Sequence, residues 1–146
     1  MLTISSNSKG AGKALLITGP HHSRELSAIQ VPLYVILRIV QDWLHKDEWT
    51  MELLKEHKLY YVPIINQDGY RWISEQYINT GLFIYKRKNM NKENEKLYPC
   101  VYEETSGIDL NRNYDWEFNS TSIAGSSDDP CSETYRGPYP FSEPET

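Results

Sequence analysis

A short polar segment contains the residues best suited to bind a metal ion. The sequence Gly-Pro-His-His-Ser-Arg-Glu occupies positions 19–25 and follows an apolar run. His22 and Glu25 are three residues apart, so on a turn or a first helical turn their side chains can face one point. Imidazole nitrogen and carboxylate oxygen are common zinc ligands. His21 is a competing ligand, and the pattern alone also fits a solvated helix start with an acidic side chain near its positive end.

A second polar segment has the residue types that bind a carboxylate. The sequence Gly-Ile-Asp-Leu-Asn-Arg-Asn occupies positions 107–113. Arg112 offers a bidentate, charge-assisted clamp, and Asn111 adds a directional donor. Asp109 is suited to accept a hydrogen bond from a metal-bound imidazole and so fix its orientation. Taken alone, the same residues also fit a polar turn in which Asn and Asp side chains bond to nearby backbone.

The remaining charged residues indicate what the chain does not bind. The basic run Tyr-Lys-Arg-Lys-Asn at 85–89, taken alone, predicts a solvated loop, and the net charge is −5 from 15 Lys and Arg against 20 Asp and Glu. The basic residues are scattered, whereas nucleic acids and anionic membranes require a basic face. We therefore expect no nucleic-acid partner. We also expect no membrane span, because no apolar run approaches the roughly 18–20 residues that one needs.

The elements that must position these residues follow from apolar periodicity. Residues 14–18 predict a short, fully buried strand, and residues 59–65 predict another. Between them, apolar residues recur at helical spacing over 27–46, and a second short helix is expected over 48–57. Residues 66–69 predict a turn. A strand, a helix and a second strand in this order predict an α/β protein with a mostly parallel sheet and helices on both faces.

Five motifs resemble those of a known family. They are His-Ser-Arg-Glu at 22–25, Asn-x-Asp-Gly-Tyr at 66–70, Arg-Lys-Asn at 87–89, Asp-Leu-Asn-Arg-Asn at 109–113 and Pro-Cys-Ser-Glu-Thr-Tyr-x-Gly at 130–137. Their order is that of the zinc metallocarboxypeptidases of the carboxypeptidase A/B type, peptidase family M14. The resemblance covers almost the whole chain. It implies a partial three-layer α/β/α sandwich with a mostly parallel, mixed sheet, and it makes residues 1–146 the N-terminal part of a single catalytic domain.

The resemblance assigns roles around one zinc ion. His22 and Glu25 look like the first two zinc ligands, and Asp109 looks like the acceptor that steadies the ligand histidine. Arg87 looks like the catalytic arginine that stabilises the oxyanion formed when water attacks the peptide carbonyl. Arg24 looks like an arginine that contacts the substrate.

Further roles concern the substrate and the compartment. Asn111 and Arg112 look like the pair that anchors the free C-terminal carboxylate of a peptide or protein. Cys100 and Cys131 lie near the places where digestive-type members form a disulfide. The family resemblance therefore implies an extracellular location or the lumen of the secretory or lysosomal system. No oligomeric state is predicted.

The chain departs from the family pattern in its histidines. All four, His21, His22, His45 and His57, precede Asn66, whereas the family takes its third zinc ligand from a later segment. The general-base glutamate also comes later, so we expect both beyond Thr146 and expect the 146 residues alone to be inactive. The leading hypothesis is a zinc carboxypeptidase. The alternatives are a non-catalytic relative that binds C-terminal carboxylates, and a zinc deacylase, which generally shares the His-x-x-Glu pattern but not the full set of motifs.

Overall fold

The chain forms two compact units. The computed structural model describes residues 1–6, 12–93, 99–119 and 125–146. The first unit comprises Met1–Pro20 and Leu26–Ile65, and the second comprises His21–Glu25 and Asn66–Thr146. Every residue to which the sequence assigns a role in binding metal or substrate belongs to the second unit. That residues 1–146 are part of one catalytic domain stays a prediction.

A mixed sheet forms the centre of the first unit. Its described strands are β1 (Leu2–Ile4), β2 (Lys13–Thr18) and β3 (His57–Val62), in the order β1-β3-β2. β3 pairs antiparallel with β1 and parallel with β2, with Leu15 opposite Leu59. The predicted α/β class and mixed sheet are confirmed. The sequence did not predict β1.

Two helices connect the parallel strands. They are α1 (Ser27–Leu44) and α2 (Glu48–Glu56), close to the predicted ranges. The side chain of Asp47 caps α2 by accepting a hydrogen bond from the backbone N–H of Thr50 at 2.8 Å. Glu48 in the first turn and Lys55 in the last turn also suit the helix dipole. The predicted order of strand, helix and strand is therefore confirmed.

The prediction that β2 is fully buried is wrong. Leu15 and Leu16 are 54% and 59% exposed, whereas Leu59 and Tyr61 in β3 are buried. The reason lies in the strand order, because β3 pairs on both sides while β2 pairs only with β3 among the described strands. An apolar run identifies a strand, but it does not reveal that the strand lies at an edge.

The chain leaves β2 through a close backbone contact. The N–H of Gly19 donates to the carbonyl of Val62 at 2.7 Å. A Cβ atom on Gly19 would lie 1.8 Å from the carbonyl oxygen of Pro63, a distance that no side chain tolerates. Glycine at position 19 therefore allows the end of β2 to pack directly against the residues that follow β3.

The second unit contains a helix that the sequence analysis missed. Helix α3 (Gln67–Thr80) occupies the place of the predicted turn at 66–69. Its N-cap is Asn66, whose side-chain oxygen accepts a hydrogen bond from Gly69 N–H at 3.0 Å, and it ends at Gly81 in the left-handed conformation, with φ of 72°. The rest of the described unit is loops and short 3₁₀ helices, Glu103–Thr105 and Leu110–Arg112. Within the described ranges, no helix is long and apolar enough to cross a membrane.

Candidate metal and substrate site

The two predicted zinc ligands lie together. Glu25 N–H donates to the carbonyl of His22 at 3.1 Å, which closes a tight turn. Nδ1 of His22 lies 2.8 Å from Oε1 of Glu25. The imidazole is buried, whereas about half of the Glu25 side chain is exposed. The turn therefore brings a nitrogen atom and an oxygen atom, both of types that bind metals, close to one point, as the spacing predicts.

Asp109 holds the other side of the same imidazole. Its Oδ1 lies 3.1 Å from Nε2 of His22, and its side chain is completely buried. A carboxylate only accepts hydrogen bonds, so with a ligand on Nδ1 the proton of the imidazole would be on Nε2 and would be donated to Asp109. Nδ1 is the atom that faces Glu25, so the ring is oriented with its second nitrogen next to the carboxylate of the second predicted ligand.

Arg87 binds the second oxygen of the same carboxylate. Its Nε and Nη2 donate to Oδ2 of Asp109 at 3.0 and 2.9 Å. Its Nη1 lies 3.9 Å from Oε1 of Glu25. Burial would raise the pKa of Asp109, but the hydrogen bond from His22 and the charge and hydrogen bonds of Arg87 outweigh it and lower the pKa. Asp109 is therefore a carboxylate that orients a histidine and an arginine together.

The backbone around Arg87 is hydrogen-bonded to the turn that contains the two predicted zinc ligands. Ser23 is fully buried; its N–H donates to the carbonyl of Arg87 at 3.2 Å and its hydroxyl donates to the carbonyl of Lys86 at 2.8 Å. The amide of Asn66 donates to the carbonyl of His21 at 3.0 Å. Sequence reasoning missed Ser23, because a serine between two candidate ligands gives no signal of its own.

Residues 85–89 do not form the solvated basic loop that they predict when taken alone. Lys86 and Lys88 are completely buried, and only 14% of the Arg87 side chain is exposed. Both ammonium groups donate to backbone carbonyls of the second unit. The basic run is therefore an internal part of the site.

The predicted carboxylate clamp faces solvent. Asn111 and Arg112 lie in a 3₁₀ helix whose first turn is capped by Asp109, which accepts from Asn111 N–H at 3.1 Å. Asn111 is exposed, and Arg112 donates to the carbonyls of Gly125 and Asn111 at 2.8 and 3.0 Å. Both line an open pocket of about 230 Å³, together with aromatic residues that include Trp116. The pocket is large enough for a small carboxylate-bearing group.

Arg24 and His21 have other partners. Arg24 forms an ion pair with Glu133 at 2.8 Å and donates to the carbonyl of Tyr85 at 3.2 Å. Nε2 of His21 lies 2.8 Å from the hydroxyl of Tyr114, and burial, followed by the neighbouring His22, lowers the pKa of His21. The structure therefore places His22, rather than His21, against Glu25.

The His22–Glu25 pair fits a zinc ion by its chemistry. An imidazole nitrogen and a carboxylate oxygen converge, and the far side of the imidazole is fixed by a buried carboxylate, as is common for ligand histidines. No cluster of three or more His, Cys, Asp or Glu side chains suited to a metal occurs in the described residues. The pair therefore corresponds to two of the three protein ligands that catalytic zinc sites generally use.

A disulfide joins two loops of the same unit. Cys100 and Cys131 are bonded, with their Cα atoms 5.4 Å apart, as the family resemblance implied. Thirty-one positions separate the two cysteines in the sequence. The loops at 99–106 and 125–137 are therefore tied to each other covalently.

Comparisons with known proteins identify the family. The family described as zinc carboxypeptidase, Peptidase_M14, matches residues 1–146. The chain belongs to this family. It is 34% identical over 143 residues to a metallocarboxypeptidase A-like protein of Trichophyton verrucosum, covering 97% of this chain. It is 26% identical over 136 residues, 93% of this chain, to a protein of Paracoccidioides lutzii named inactive metallocarboxypeptidase ECM14.

A solved structure supports the same conclusion about the fold. The crystal structure of carboxypeptidase A from Helicoverpa armigera matches 98% of this chain with a TM-score of 0.74 and 30% identity. The predicted carboxypeptidase fold is thereby confirmed. The chain spans 28% and 20% of the two relatives above and 31% of the solved chain.

Proposed function

We propose that the whole protein is a zinc-dependent carboxypeptidase that hydrolyses C-terminal residues from peptides or proteins. The observation that carries this proposal is that one buried carboxylate, Asp109, binds both His22 and Arg87. A ligand-type histidine and a guanidinium are thereby both held near Oε1 of Glu25. Family membership supports the same reaction class.

One zinc ion would be held by Nδ1 of His22 and by the carboxylate of Glu25. When bound, zinc supplies a Lewis acid that polarises a carbonyl and lowers the pKa of water towards about 7. With zinc on Nδ1, the proton of His22 would be on Nε2, and its hydrogen bond to Asp109 would fix the orientation of the ring.

Arg87 would stabilise the negative charge that develops on the substrate carbonyl oxygen. Its Nε and Nη2 are used by Asp109, whereas Nη1 lies on the side of Glu25. A guanidinium held in place before the reaction needs no reorganisation when the charge develops. Losing one such donor typically lowers kcat by about 10²–10³-fold.

Asn111 and Arg112 would bind the free C-terminal carboxylate. Both line the open pocket, and the guanidinium of Arg112 is partly exposed there. An amidated chain end or a mid-chain peptide carries no carboxylate to pair with the clamp, so the enzyme would act on chain ends only. The disulfide supports an oxidising compartment, which agrees with an extracellular or luminal location.

A second candidate is a non-catalytic relative that binds C-terminal carboxylates without cleaving them. The observation that favours it is the similarity to a relative named an inactive metallocarboxypeptidase. The two candidates share the clamp and differ in whether the bond is broken.

The test measures amino-acid release from a peptide with a free C-terminus and from its amidated form, before and after chelation of zinc. We expect release from the free form only, loss with chelator, and a kcat about 10²–10³-fold lower in Arg87→Ala. Arg71→Ala is the matched control, because Arg71 is an exposed arginine paired with Glu75. Wild-type kcat in Arg87→Ala would contradict the assigned role. Binding of the free form without cleavage would establish the non-catalytic alternative.

A further inference from the structure

We infer that Lys86 and Lys88 are positioning residues for Arg87, and that the Cys100–Cys131 disulfide fixes the two loops that hold them. This inference rests on the proposed role of Arg87. It assigns a purpose to two buried lysines that the proposed function does not use.

Lys86 is anchored by the first of these loops. Its side chain is completely buried, and Nζ donates to the carbonyls of Glu103 and Ser106 at 3.1 and 2.9 Å. Nζ also lies 5.7 Å from the centre of the Trp72 ring, within the range of a cation–π contact. The residue before Arg87 is therefore bound to the 3₁₀ turn at 103–106.

Lys88 is anchored by the second loop. Its Nζ donates to the carbonyls of Pro130 and Ser132 at 2.7 and 2.8 Å and lies 5.7 Å from the centre of the Tyr135 ring. Arg87 stands between the two lysines in sequence, and its guanidinium binds Asp109 instead of these loops. The side chains on either side of Arg87 therefore fix its backbone at two points.

The disulfide joins the two anchoring loops. Cys131 stands between Pro130 and Ser132, the two residues whose carbonyls bind Lys88. Cys100 starts the loop whose later carbonyls, at Glu103 and Ser106, bind Lys86. The bond therefore limits how far the two sets of acceptors can move apart.

The burial of the two ammonium groups restricts the backbone positions that residues 86–88 can adopt. A buried ammonium is costly unless it is hydrogen-bonded, so each lysine favours only those backbone positions in which its carbonyl acceptors are in place. A displacement of about 1 Å at a catalytic group can lower the rate by about 10²-fold. The two lysines thus hold Arg87 where its guanidinium reaches both Asp109 and the substrate carbonyl.

Steady-state kinetics of the whole protein test the inference. Lys88→Met and Lys86→Met keep the length of the side chain and remove its charge, and we expect kcat to fall by about 10²-fold with KM unchanged. Lys55→Met, at an exposed lysine, should leave both constants unchanged. Lys88→Arg restores the charge and the donors, so it should recover part of the loss.

The double variant Arg87→Ala/Lys88→Met separates positioning from an independent effect. If Lys88 acts through Arg87, the double variant has the same kcat as Arg87→Ala. A further 10²-fold loss, or wild-type kcat in both lysine variants, would overturn the inference. Wild-type kcat in Arg87→Ala would instead show that the proposed function is wrong.

A spectroscopic measurement covers the case in which a lysine variant does not fold. The Nε–H of Arg87 donates to Asp109 and should exchange slowly with solvent in an NMR experiment. We expect faster exchange in Cys100→Ser/Cys131→Ser and no change in Lys55→Met. Unchanged exchange without the disulfide would contradict the role of the two loops.

Discussion

The two functional regions of the second unit are neighbours in sequence but differ in burial. Asp109 is completely buried and binds His22 and Arg87, whereas Asn111, two residues later, faces solvent with Arg112. The first region is a closed network in which each group needs the others. The second is an open clamp whose side chains reach solvent. Substitutions in the network should therefore affect stability and metal binding, and substitutions in the clamp should affect substrate binding.

The largest expected effect is that of Asp109→Ala. It leaves the buried charge of Arg87 without its carboxylate and frees the imidazole of His22, and the loss of one partner of a buried ion pair typically costs about 3–5 kcal/mol. Urea denaturation should report this loss in the free energy of unfolding. Asp115→Ala, at an exposed carboxylate, is the control. A loss below about 1 kcal/mol in Asp109→Ala would show that the network is not a stabilising unit.

Arg112→Ala should separate the two regions. Removing a charged hydrogen-bonding partner of the substrate should raise KM for peptides with a free C-terminus by about 10–100-fold. The free energy of unfolding should change by less than about 0.5 kcal/mol, because the side chain is not part of a buried network. Arg112→Lys should show a smaller rise in KM, since it keeps the charge and loses the bidentate geometry. An unchanged KM in Arg112→Ala would remove the clamp from the proposed function.

A smaller effect concerns the backbone beside the clamp. Glu117 lines the same pocket and adopts a φ of 49°, in the left-handed region that side chains other than glycine rarely occupy. Glu117→Gly should relieve this strain and stabilise the protein by about 0.5–1 kcal/mol, after the entropic cost of glycine. Thermal unfolding measures the difference. Destabilisation would indicate that the Glu117 side chain contributes contacts that outweigh the strain.

The sequence predicted the parts of the molecule that depend on local patterns. Apolar periodicity located β2, α1 and β3, and the spacing of His22 and Glu25 correctly indicated that their side chains converge. It missed α3, because polar residues occupy most of the helix and only Gly69 and Ile73 are buried in it.

The buried lysines were also missed, for a different reason. Lysine is rarely buried, because its ammonium group is strongly hydrated, so a basic run predicts a solvated loop. Burial of Lys86 and Lys88 depends on backbone carbonyls 17–44 positions away in the sequence. Such acceptors belong to the backbone, which every residue shares, so their positions follow from the tertiary fold and leave no pattern in residue types.

Zinc binding tests most directly whether the network around Asp109 is a metal centre. The measurement is a titration of the purified whole protein with zinc in competition with a chromogenic chelator. It compares the wild type, His22→Gln and His45→Gln. His45 is an exposed residue at the end of α1 and serves as the matched control. We expect one zinc per chain, an affinity reduced by at least about 10²-fold in His22→Gln, and no change in His45→Gln. Wild-type zinc affinity in His22→Gln would contradict the assignment.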